Sequence, residues 1–265
     1  MFVEYHITDK CNVKCASCIH YCSLVDNNVQ HKSLDQIRAD LYLLHKIKNV
    51  FDELHILGGE PLLSSNLIDC INLSRRLFGN YRILLSTNGT IEFSEDLLNC
   101  IKINNIEISL SEYPFKDNYK DHYNNLKSIF DKYHIIYTSY VYNTFQAKQL
   151  ANTYINYNED QIFKCRMRCC NQLVNGKLYM CPQVAYFKYF DNYFKNIHNM
   201  YSSNINKKDF LDLNEVINDQ EVYDFIENSI PTLCNYCNEC NRFVNRNMVI
   251  DTWHRSNKDI KEWIT

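Results

Sequence analysis

The chain has 265 residues, a formal net charge of −3 and 13 cysteines. This length allows one large domain, or one with a small appendage, and the slightly acidic balance provides no basic surface for nucleic acid. No apolar run approaches the roughly 18 residues of a membrane span, and the N-terminus shows no signal sequence, so we expect a cytoplasmic protein without a membrane partner. In such a reducing compartment, this many cysteines indicate metal ligands rather than disulfides.

The first 160 residues alternate strand patterns with helix patterns. The predicted strands cover 1–8, 53–57, 81–86, 106–111 and 135–142. The predicted helices cover about 33–49, 64–78, 94–103, 117–133 and 144–157. Alternation at this spacing is typical of βαβ units around a parallel sheet. About five or six such units predict an α/β fold, an open partial (β/α)6 barrel rather than a closed eightfold one.

A change of architecture is predicted near residue 165. Asn175 and Gly176 lie between two alternating apolar–polar runs, which is a β-hairpin signal that breaks the β/α alternation. A further helix pattern lies near 214–228. We therefore predict two domains, a partial barrel at 1–160 and a small α+β extension at 161–265.

The cysteines fall into two groups along the chain. The first group is Cys11, Cys15 and Cys18. The second group lies in the last 101 residues and consists of Cys165, Cys169, Cys170, Cys181, Cys234, Cys237 and Cys240. Three cysteines remain: we expect Cys70 and Cys100, both in apolar helical stretches, to be buried in packing, and Cys22 is compatible with either role.

The first group, "CNVKCASC", has the spacing CxxxCxxC. Structural zinc needs four ligands, and His20 is the only close alternative for the fourth. Three thiolates on one loop suit three irons of a [4Fe–4S] cluster and leave the fourth iron open for a substrate or cofactor. The loop follows the first strand, at the edge of the sheet where β/α folds place their chemistry.

Polar residues also follow the next three predicted strands. "GGEP" at Gly58–Pro61 follows the second strand, and its glycines allow a close backbone approach to a ligand while Glu60 offers a carboxylate for an ammonium group. "STNG" at Ser86–Gly89 follows the third strand. Ser109 and Ser111 end the fourth. Because the carboxyl ends of parallel strands meet at one edge, we expect these groups to converge on one cofactor site.

These three motifs together resemble the radical S-adenosylmethionine (SAM) superfamily over about residues 3–145. "CNVKCASC" matches the superfamily's cluster motif, "GGEP" its second-strand motif and "STNGT" its common third-strand run. The resemblance implies that Cys11, Cys15 and Cys18 hold a [4Fe–4S] cluster whose open iron chelates SAM. It also implies a flavodoxin or ferredoxin as electron donor, reductive cleavage of SAM and hydrogen abstraction by the 5′-deoxyadenosyl radical.

The resemblance further implies which residues contact SAM. Contacts to the methionine amino group would come from Gly58, Gly59 and Glu60. Contacts to the ribose or the carboxylate would come from Ser86, Asn88, Ser109 and Ser111. One position departs from the pattern: the residue before the third cysteine is usually aromatic or large and apolar, and here it is Ser17. We therefore expect Ile19 or Tyr21 to contact adenine instead.

The second cysteine group resembles the twitch and SPASM extensions of radical SAM enzymes. The spacing Cys165-x10-Gly176-x4-Cys181 matches their opening hairpin, and Cys234 and Cys237 supply the later pair. The closer likeness is a twitch domain, which implies one auxiliary [4Fe–4S] cluster held by these four cysteines. Cys169, Cys170 and Cys240 are the substitutes. In an extended chain, Cys169 and Cys170 would point to opposite faces. Two auxiliary clusters and a zinc ribbon are the alternatives.

The reaction is less defined by the sequence than the cofactor. The chain begins directly on its first strand, without a leader-recognition domain, which favours a small-molecule substrate over a peptide. We expect an oxidoreductase acting on a small polyhydroxylated metabolite, a sugar or a cyclitol. A peptide- or protein-modifying radical SAM enzyme and a non-catalytic Fe–S or zinc binding module are the alternatives. The acid–base residues are not identified; Glu112, Tyr142, Asn143 and Arg166 lie near strand ends and are candidates.

Overall fold

The computed structural model describes residues 1–194, 209–238 and 250–264. The chain divides into two compact units. The first unit comprises Met1–Val13 and Asn27–Asn143, and the second comprises Lys14–Asp26 and Thr144–Thr265. The segment Lys14–Asp26, which the sequence assigned to the barrel, therefore groups with the C-terminal half. The domain boundary between residues 160 and 161 stays a prediction.

The first unit is built on five parallel strands in the order β5-β4-β3-β2-β1. The strands are β1 Phe2–His6, β2 Glu53–Leu57, β3 Arg82–Thr87, β4 Glu107–Glu112 and β5 Tyr137–Val141. The predicted α/β, partial-barrel fold is confirmed. The sheet has one parallel strand fewer than the sixfold barrel, because the next strand, β6 at Thr144–Gln146, pairs antiparallel with β10 at Ile250–Thr252.

Four helices connect these strands at the predicted places: α1 Leu34–Lys46, α2 Leu67–Phe78, α3 Glu95–Ile103 and α4 Tyr119–Tyr133. Their ends follow local chemistry. Ser33 and Gln36 form a capping box at the start of α1. Gly79 ends α2 with φ of 51°, a conformation that costs little without a side chain. Cys70 on α2 and Cys100 on α3 are buried, as predicted.

The second unit contains the predicted hairpin. Strands β7 Cys170–Val174 and β8 Lys177–Tyr179 pair antiparallel, and β8 pairs with β9 at Phe210–Asp212. Asn175 and Gly176 form the turn with φ of 51° and 74°. The helices are α5 Glu159–Phe163, α6 Pro182–Tyr193 and α7 Asp219–Asn228. Within the described ranges, no helix has the length and apolar character needed to cross a membrane.

The helix predicted at 144–157 is wrong. The segment begins with β6 and then runs without helical structure up to α5. Its backbone groups bond to residues far away in the chain: the Leu150 N–H donates to the Trp263 carbonyl at 2.7 Å, and the Ala151 N–H donates to the Tyr236 carbonyl at 2.8 Å. These tertiary hydrogen bonds replace the local ones that a helix would make.

Aromatic side chains form the core of the second unit and explain why Lys14–Asp26 belongs to it. Tyr21 is fully buried, with its ring centroid 5.7 Å from that of Phe190 on α6 and 6.3 Å from that of Phe187. Trp263, also fully buried, packs on Phe190 from the other end of the chain. The burial of Tyr21 contradicts the expectation that its ring contacts adenine.

Arg75 on α2 provides a test of how the helix ends are held. Its guanidinium donates to the carbonyls of Asn104, Tyr81 and Asn105 at 2.6, 2.8 and 2.9 Å. Because charge-assisted bonds to three backbone carbonyls are lost, Arg75→Gln should lower the free energy of unfolding by about 1–3 kcal/mol in urea unfolding followed by circular dichroism. The exposed neighbour Arg76→Gln is the matched control, and equal losses in both variants would contradict this role.

Candidate functional site

The two glycines after β2 lie against the loop that follows β1. A Cβ atom on Gly58 would come within 2.2 Å of the Thr8 carbonyl oxygen. A Cβ atom on Gly59 would come within 2.3 Å of the Lys10 carbonyl oxygen and 2.8 Å of the Cys11 Cβ. All three distances are far below van der Waals contact. The glycine pair therefore allows two loops to approach each other closely, in addition to any approach to a ligand.

Glu60 is completely buried and links the turn after β2 to the end of β3. Its carboxylate accepts hydrogen bonds from the Thr87 hydroxyl at 2.8 Å, the Asn88 N–H at 2.8 Å and the Leu62 N–H at 3.1 Å. Its own N–H donates to the Lys10 carbonyl at 2.8 Å. Burial raises the pKa of Glu60 to about 7, although the three donors favour the charged form.

Asn88 connects the turn after β3 to the loop that carries Cys11. Its amide nitrogen donates to the Asn12 Oδ1 at 3.0 Å and lies 3.8 Å from the Cys11 sulfur. Its amide oxygen accepts from the Thr90 N–H at 3.0 Å and from the Thr90 hydroxyl at 2.6 Å. The turns after β1, β2 and β3 are thus joined by one set of hydrogen bonds that runs through Glu60 and Asn88.

The predicted serines share one face of the sheet. Ser86 on β3 and Ser109 on β4 are direct neighbours in the parallel register, and Ser111 lies two residues further along β4. All three are half-buried, whereas the residues that alternate with them, Leu85 and Leu110 among them, are fully buried. Because strand residues two apart share a face, the three hydroxyls line the more accessible face of the first unit.

The rest of the cysteine motif, including Cys15 and Cys18, belongs to the second unit. Lys14 and Ser17 both adopt left-handed backbone conformations, with φ of 52° and 50°. Such conformations cost free energy in residues with side chains and persist where surrounding contacts fix them. One such contact is the Gln149 amide, which donates to the Ser17 carbonyl at 2.7 Å.

Cys22, whose role the sequence did not decide, lies beside Cys18. A hydrogen bond from Cys22 holds the pKa of the Cys18 thiol well below its ordinary value, burial opposes this effect, and His20 adds to it. A lowered thiol pKa favours the thiolate, which is the form that binds metals. Cys22 therefore affects the cysteine motif by lowering the pKa of Cys18.

The four predicted auxiliary ligands line one pocket of the second unit, with about 390 Å³ of space not filled by atoms, part of it open to solvent. They reach it from separate stretches: Cys165 precedes a short 3-10 turn, Cys181 precedes α6, and Cys234 and Cys237 lie in and after the turn Thr232–Tyr236. Burial raises the pKa of the Cys181 thiol, and the nearby Cys237 and Cys165 add to the shift.

The substitutes occupy different places. Cys169 and Cys170 are not among the residues that line the pocket, and Cys169 is exposed. Their sulfurs lie 3.9 Å apart, so the expectation that they point to opposite faces is wrong. The reason is that Cys169 lies in a 3-10 turn, Arg166–Cys169, rather than in an extended strand. Cys240 lies outside the described residues.

A series of buried amide side chains runs from this pocket to the cysteine loop, the loop that carries Cys15 and Cys18. The Cys237 thiol donates to the Gln183 Oε1 at 3.0 Å, and the Gln183 Nε2 donates to the Gln149 Oε1 at 3.1 Å. Gln149 then reaches the Ser17 carbonyl, which lies between Cys15 and Cys18. Neither glutamine could be found from the sequence, because neither belongs to a motif.

The donor chemistry of both cysteine groups fits an iron–sulfur cluster. No disulfide joins any of the twelve cysteines in the part of the chain that the structure describes, and thiolates are the usual ligands of such clusters. Over the same residues, no three His, Cys, Asp or Glu side chains are grouped as a metal site. The fit therefore depends on the type of ligand and on the close packing of Gly58 and Gly59 against the loop that carries Cys11. A side chain at either glycine would displace that loop.

The candidates for acid–base catalysis are engaged in local contacts. Glu112 is buried, pairs with Lys127 and accepts a hydrogen bond from the Ser139 hydroxyl. Tyr142 stacks on Tyr113 with ring centroids 5.4 Å apart. These contacts account for both residues structurally. Of the remaining two, Asn143 lies in the first unit and Arg166 in the second.

Three solved structures that match the chain were determined with AdoMet (S-adenosylmethionine) bound. A structure of BtrN in complex with AdoMet and 2-DOIA matches with a TM-score of 0.50 and 15% identity, covering 75% of this chain and 82% of BtrN. His6-tagged anSMEcpe with bound AdoMet matches at 0.41 and 20% identity, over 52% of this chain and 42% of that one. Streptococcus suis SuiB bound to S-adenosylmethionine matches at 0.38 and 10%, over 76% and 67%.

No protein-family model matches the chain, and no curated protein matches it. The likeness to BtrN, at 15% identity, concerns the fold. What the comparison shows is therefore a fold similar to that of BtrN.

The tight contact at Gly59 can be tested against a second glycine. Gly59→Ala should lower the free energy of unfolding by about 1–3 kcal/mol, because the added Cβ meets backbone that cannot move away. Gly79→Ala adds the same atom where nothing lies within 4 Å, so its loss of about 1–3 kcal/mol reports only the strain of an alanine at φ of 51° and ψ of −107°. Urea unfolding measures both variants, and an unchanged stability in Gly59→Ala would contradict the packing argument.

Glu60 should make stability depend on pH. Its pKa is about 7 in the folded chain against an ordinary 4.5, so between these values the folded state retains a proton that the unfolded state releases. The free energy of unfolding should therefore fall as pH rises from about 4.5 to about 7, by roughly 3 kcal/mol at most, and then level off.

The comparison of variants isolates this effect. Glu60→Gln cannot titrate, so its stability measured by urea unfolding should change less across that pH window than that of the parent. Glu92→Gln, which removes an exposed carboxylate, is the control and should keep the parent's slope. An unchanged slope in Glu60→Gln would show that Glu60 is not the titrating group.

Proposed function

We propose that the protein is a radical SAM enzyme, which reductively cleaves S-adenosylmethionine and uses the 5′-deoxyadenosyl radical to abstract a hydrogen from its substrate. The observation that carries the proposal is the set of hydrogen bonds through Glu60 and Asn88. It joins three motif-bearing turns at the carboxyl ends of β1, β2 and β3, where parallel β/α folds bind cofactors.

The cluster ligands in this proposal are Cys11, Cys15 and Cys18, three thiols within eight consecutive residues. They would hold a [4Fe–4S] cluster, which would supply the electron that breaks the C–S bond of S-adenosylmethionine. A flavodoxin or ferredoxin is the proposed electron donor. The low pKa of the Cys18 thiol supports its role as a thiolate ligand.

The chain's own residues would position SAM. We assign the methionine amino group to Gly58, Gly59 and Glu60, since an approaching ammonium group stabilises the Glu60 carboxylate and lowers its pKa from about 7. The ribose or the carboxylate is assigned to Ser86, Asn88, Ser109 and Ser111. Support for the serines comes from their common position on the accessible face of the sheet.

One auxiliary [4Fe–4S] cluster is proposed for the second unit, with Cys165, Cys181, Cys234 and Cys237 as ligands. The support is that these four cysteines, which lie up to 72 positions apart, line the same pocket. The exposed Cys169 does not share it. A zinc ribbon from the same thiols is the alternative, and metal analysis distinguishes the two.

For the substrate, we propose a small polyhydroxylated molecule, a sugar or a cyclitol, which the enzyme oxidises or otherwise modifies. The support is the fold match to BtrN, which was solved in complex with AdoMet and 2-DOIA. A peptide or protein is the second candidate: anSMEcpe with bound peptide and SuiB bound to precursor peptide SuiA also match, at TM-scores of 0.40 and 0.39.

Product formation tests the enzyme proposal. The anaerobically reconstituted chain, given SAM and dithionite, should form 5′-deoxyadenosine, detected by mass spectrometry. The Cys11/Cys15/Cys18→Ala triple variant should form none, because it lacks the thiolates for the cluster. Cys169→Ala, which removes an exposed thiol outside the pocket, is the control and should keep the activity. No product from the parent would support the non-catalytic binding module instead.

Iron analysis and isotope transfer test the finer claims. With two clusters of four irons each, the parent should hold about eight irons per chain and the triple variant about four. Four in the parent and none in the variant, or zinc in place of iron, would contradict the auxiliary cluster. Substrates deuterated at a carbinol carbon should transfer deuterium into 5′-deoxyadenosine; transfer from peptides alone would contradict the small-molecule proposal.

A further inference from the structure

A segment near the C-terminus carries a tryptophan that contacts the cysteine loop. The indole N–H of Trp253 donates to the Cys15 sulfur at 3.1 Å, and the side chain is buried. An N–H group this close to a sulfur is a hydrogen-bond donor to it. The Cys15 sulfur therefore has a fixed donor from a residue 238 positions away in the chain.

The backbone around Trp253 holds this geometry. We define the C-terminal strap as residues 250–256, which begin with strand β10. The Ala16 N–H donates to the His254 carbonyl at 3.1 Å, and the Ser256 N–H donates to the Lys14 carbonyl at 2.8 Å. The strap thus bonds the loop on both sides of Cys15 and forms an antiparallel bridge with it.

The strap also stabilises the backbone conformation of the loop around Cys15. Lys14 and Ser17 flank Cys15 and Ala16, and both have left-handed backbones that a free loop would not favour. The strap is anchored in turn by its pairing with β6 and by the contact of His254 with Phe145, whose ring centroids lie 5.3 Å apart. Trp253 is therefore aimed at the sulfur by a rigid support rather than by chance packing.

We propose that Trp253 is a positioning residue that sets the reduction potential of the iron–sulfur cluster bound through Cys15. This inference rests on the proposed function. A hydrogen bond to a ligating sulfur disperses its negative charge, which stabilises the reduced state of the cluster, the more negative of the two. The indole N–H of Trp253 thereby makes the cluster easier to reduce before SAM is cleaved.

The test is a redox titration of the reconstituted full chain, followed by electron paramagnetic resonance. The signal that changes when SAM is added identifies the SAM-binding cluster. Trp253→Phe keeps an aromatic ring but removes the donor. We expect it to bind as much iron as the parent and to shift the one-electron equilibrium about tenfold toward the oxidised state, which is a midpoint about 59 mV lower.

Trp263→Phe is the matched control. It is the same substitution at the other tryptophan of the chain, whose N–H reaches the Cys18 carbonyl oxygen at 3.4 Å rather than a sulfur. We expect no shift in the potential. If Trp253→Phe fails to fold, the Trp263→Phe chain is made with benzothienylalanine in place of its remaining tryptophan, Trp253. This analogue has sulfur in place of the indole N–H and nearly the same shape. The same tenfold shift is expected.

The outcomes separate this inference from the proposed function. A full cluster with an unchanged potential in Trp253→Phe, or in the benzothienylalanine chain, would overturn the role of Trp253 and leave SAM cleavage intact. A parent without a SAM-responsive signal and without 5′-deoxyadenosine would overturn both. A shift of equal size in Trp263→Phe would also overturn the role of Trp253, because the effect would then not depend on a donor to sulfur.

Discussion

The buried carboxylate of Glu60 is the constraint on which the first unit's site depends. It accepts hydrogen bonds from the Thr87 hydroxyl and from the backbone of Asn88 and Leu62, so the turns after β2 and β3 cannot move independently. A buried charge is tolerated only where donors surround it. The same burial raises its pKa to about 7, so the site contains a group that can respond to an arriving cation near neutral pH.

The motif residues around this carboxylate also join neighbouring loops of the first unit. Gly58 and Gly59 are needed where two loops nearly touch, and Asn88 links Cys11's loop to the turn after β3. A motif residue can therefore lose function through misplaced loops as well as through a missing ligand contact. The structural role of these residues and their proposed ligand-binding role coincide because both require the backbone segments to converge at one edge of the sheet.

In the second unit, the contacts that matter come from residues outside any motif. Gln149 and Gln183 connect the cysteine pocket to the Ser17 carbonyl by buried hydrogen bonds, and Trp253 donates to Cys15. Buried polar groups of this kind are costly unless they are paired, so their pairing fixes one arrangement of the unit. The segment Lys14–Asp26 is consequently held by the C-terminal half of the chain.

The sequence by itself determined the strand–helix order, the helix caps, the hairpin turn and the cysteines to consider, because these follow from local periodicity, local turn chemistry and short spacings. Only the tertiary structure decided that residues 144–157 form no helix, that Cys169 lies apart from the pocket, and that Tyr21 belongs to the core. Each of these depends on partners from distant parts of the chain, such as Phe190 for Tyr21. Local sequence patterns do not predict such partners, because hydrogen bonds and packing contacts between remote segments form only when the chain is folded.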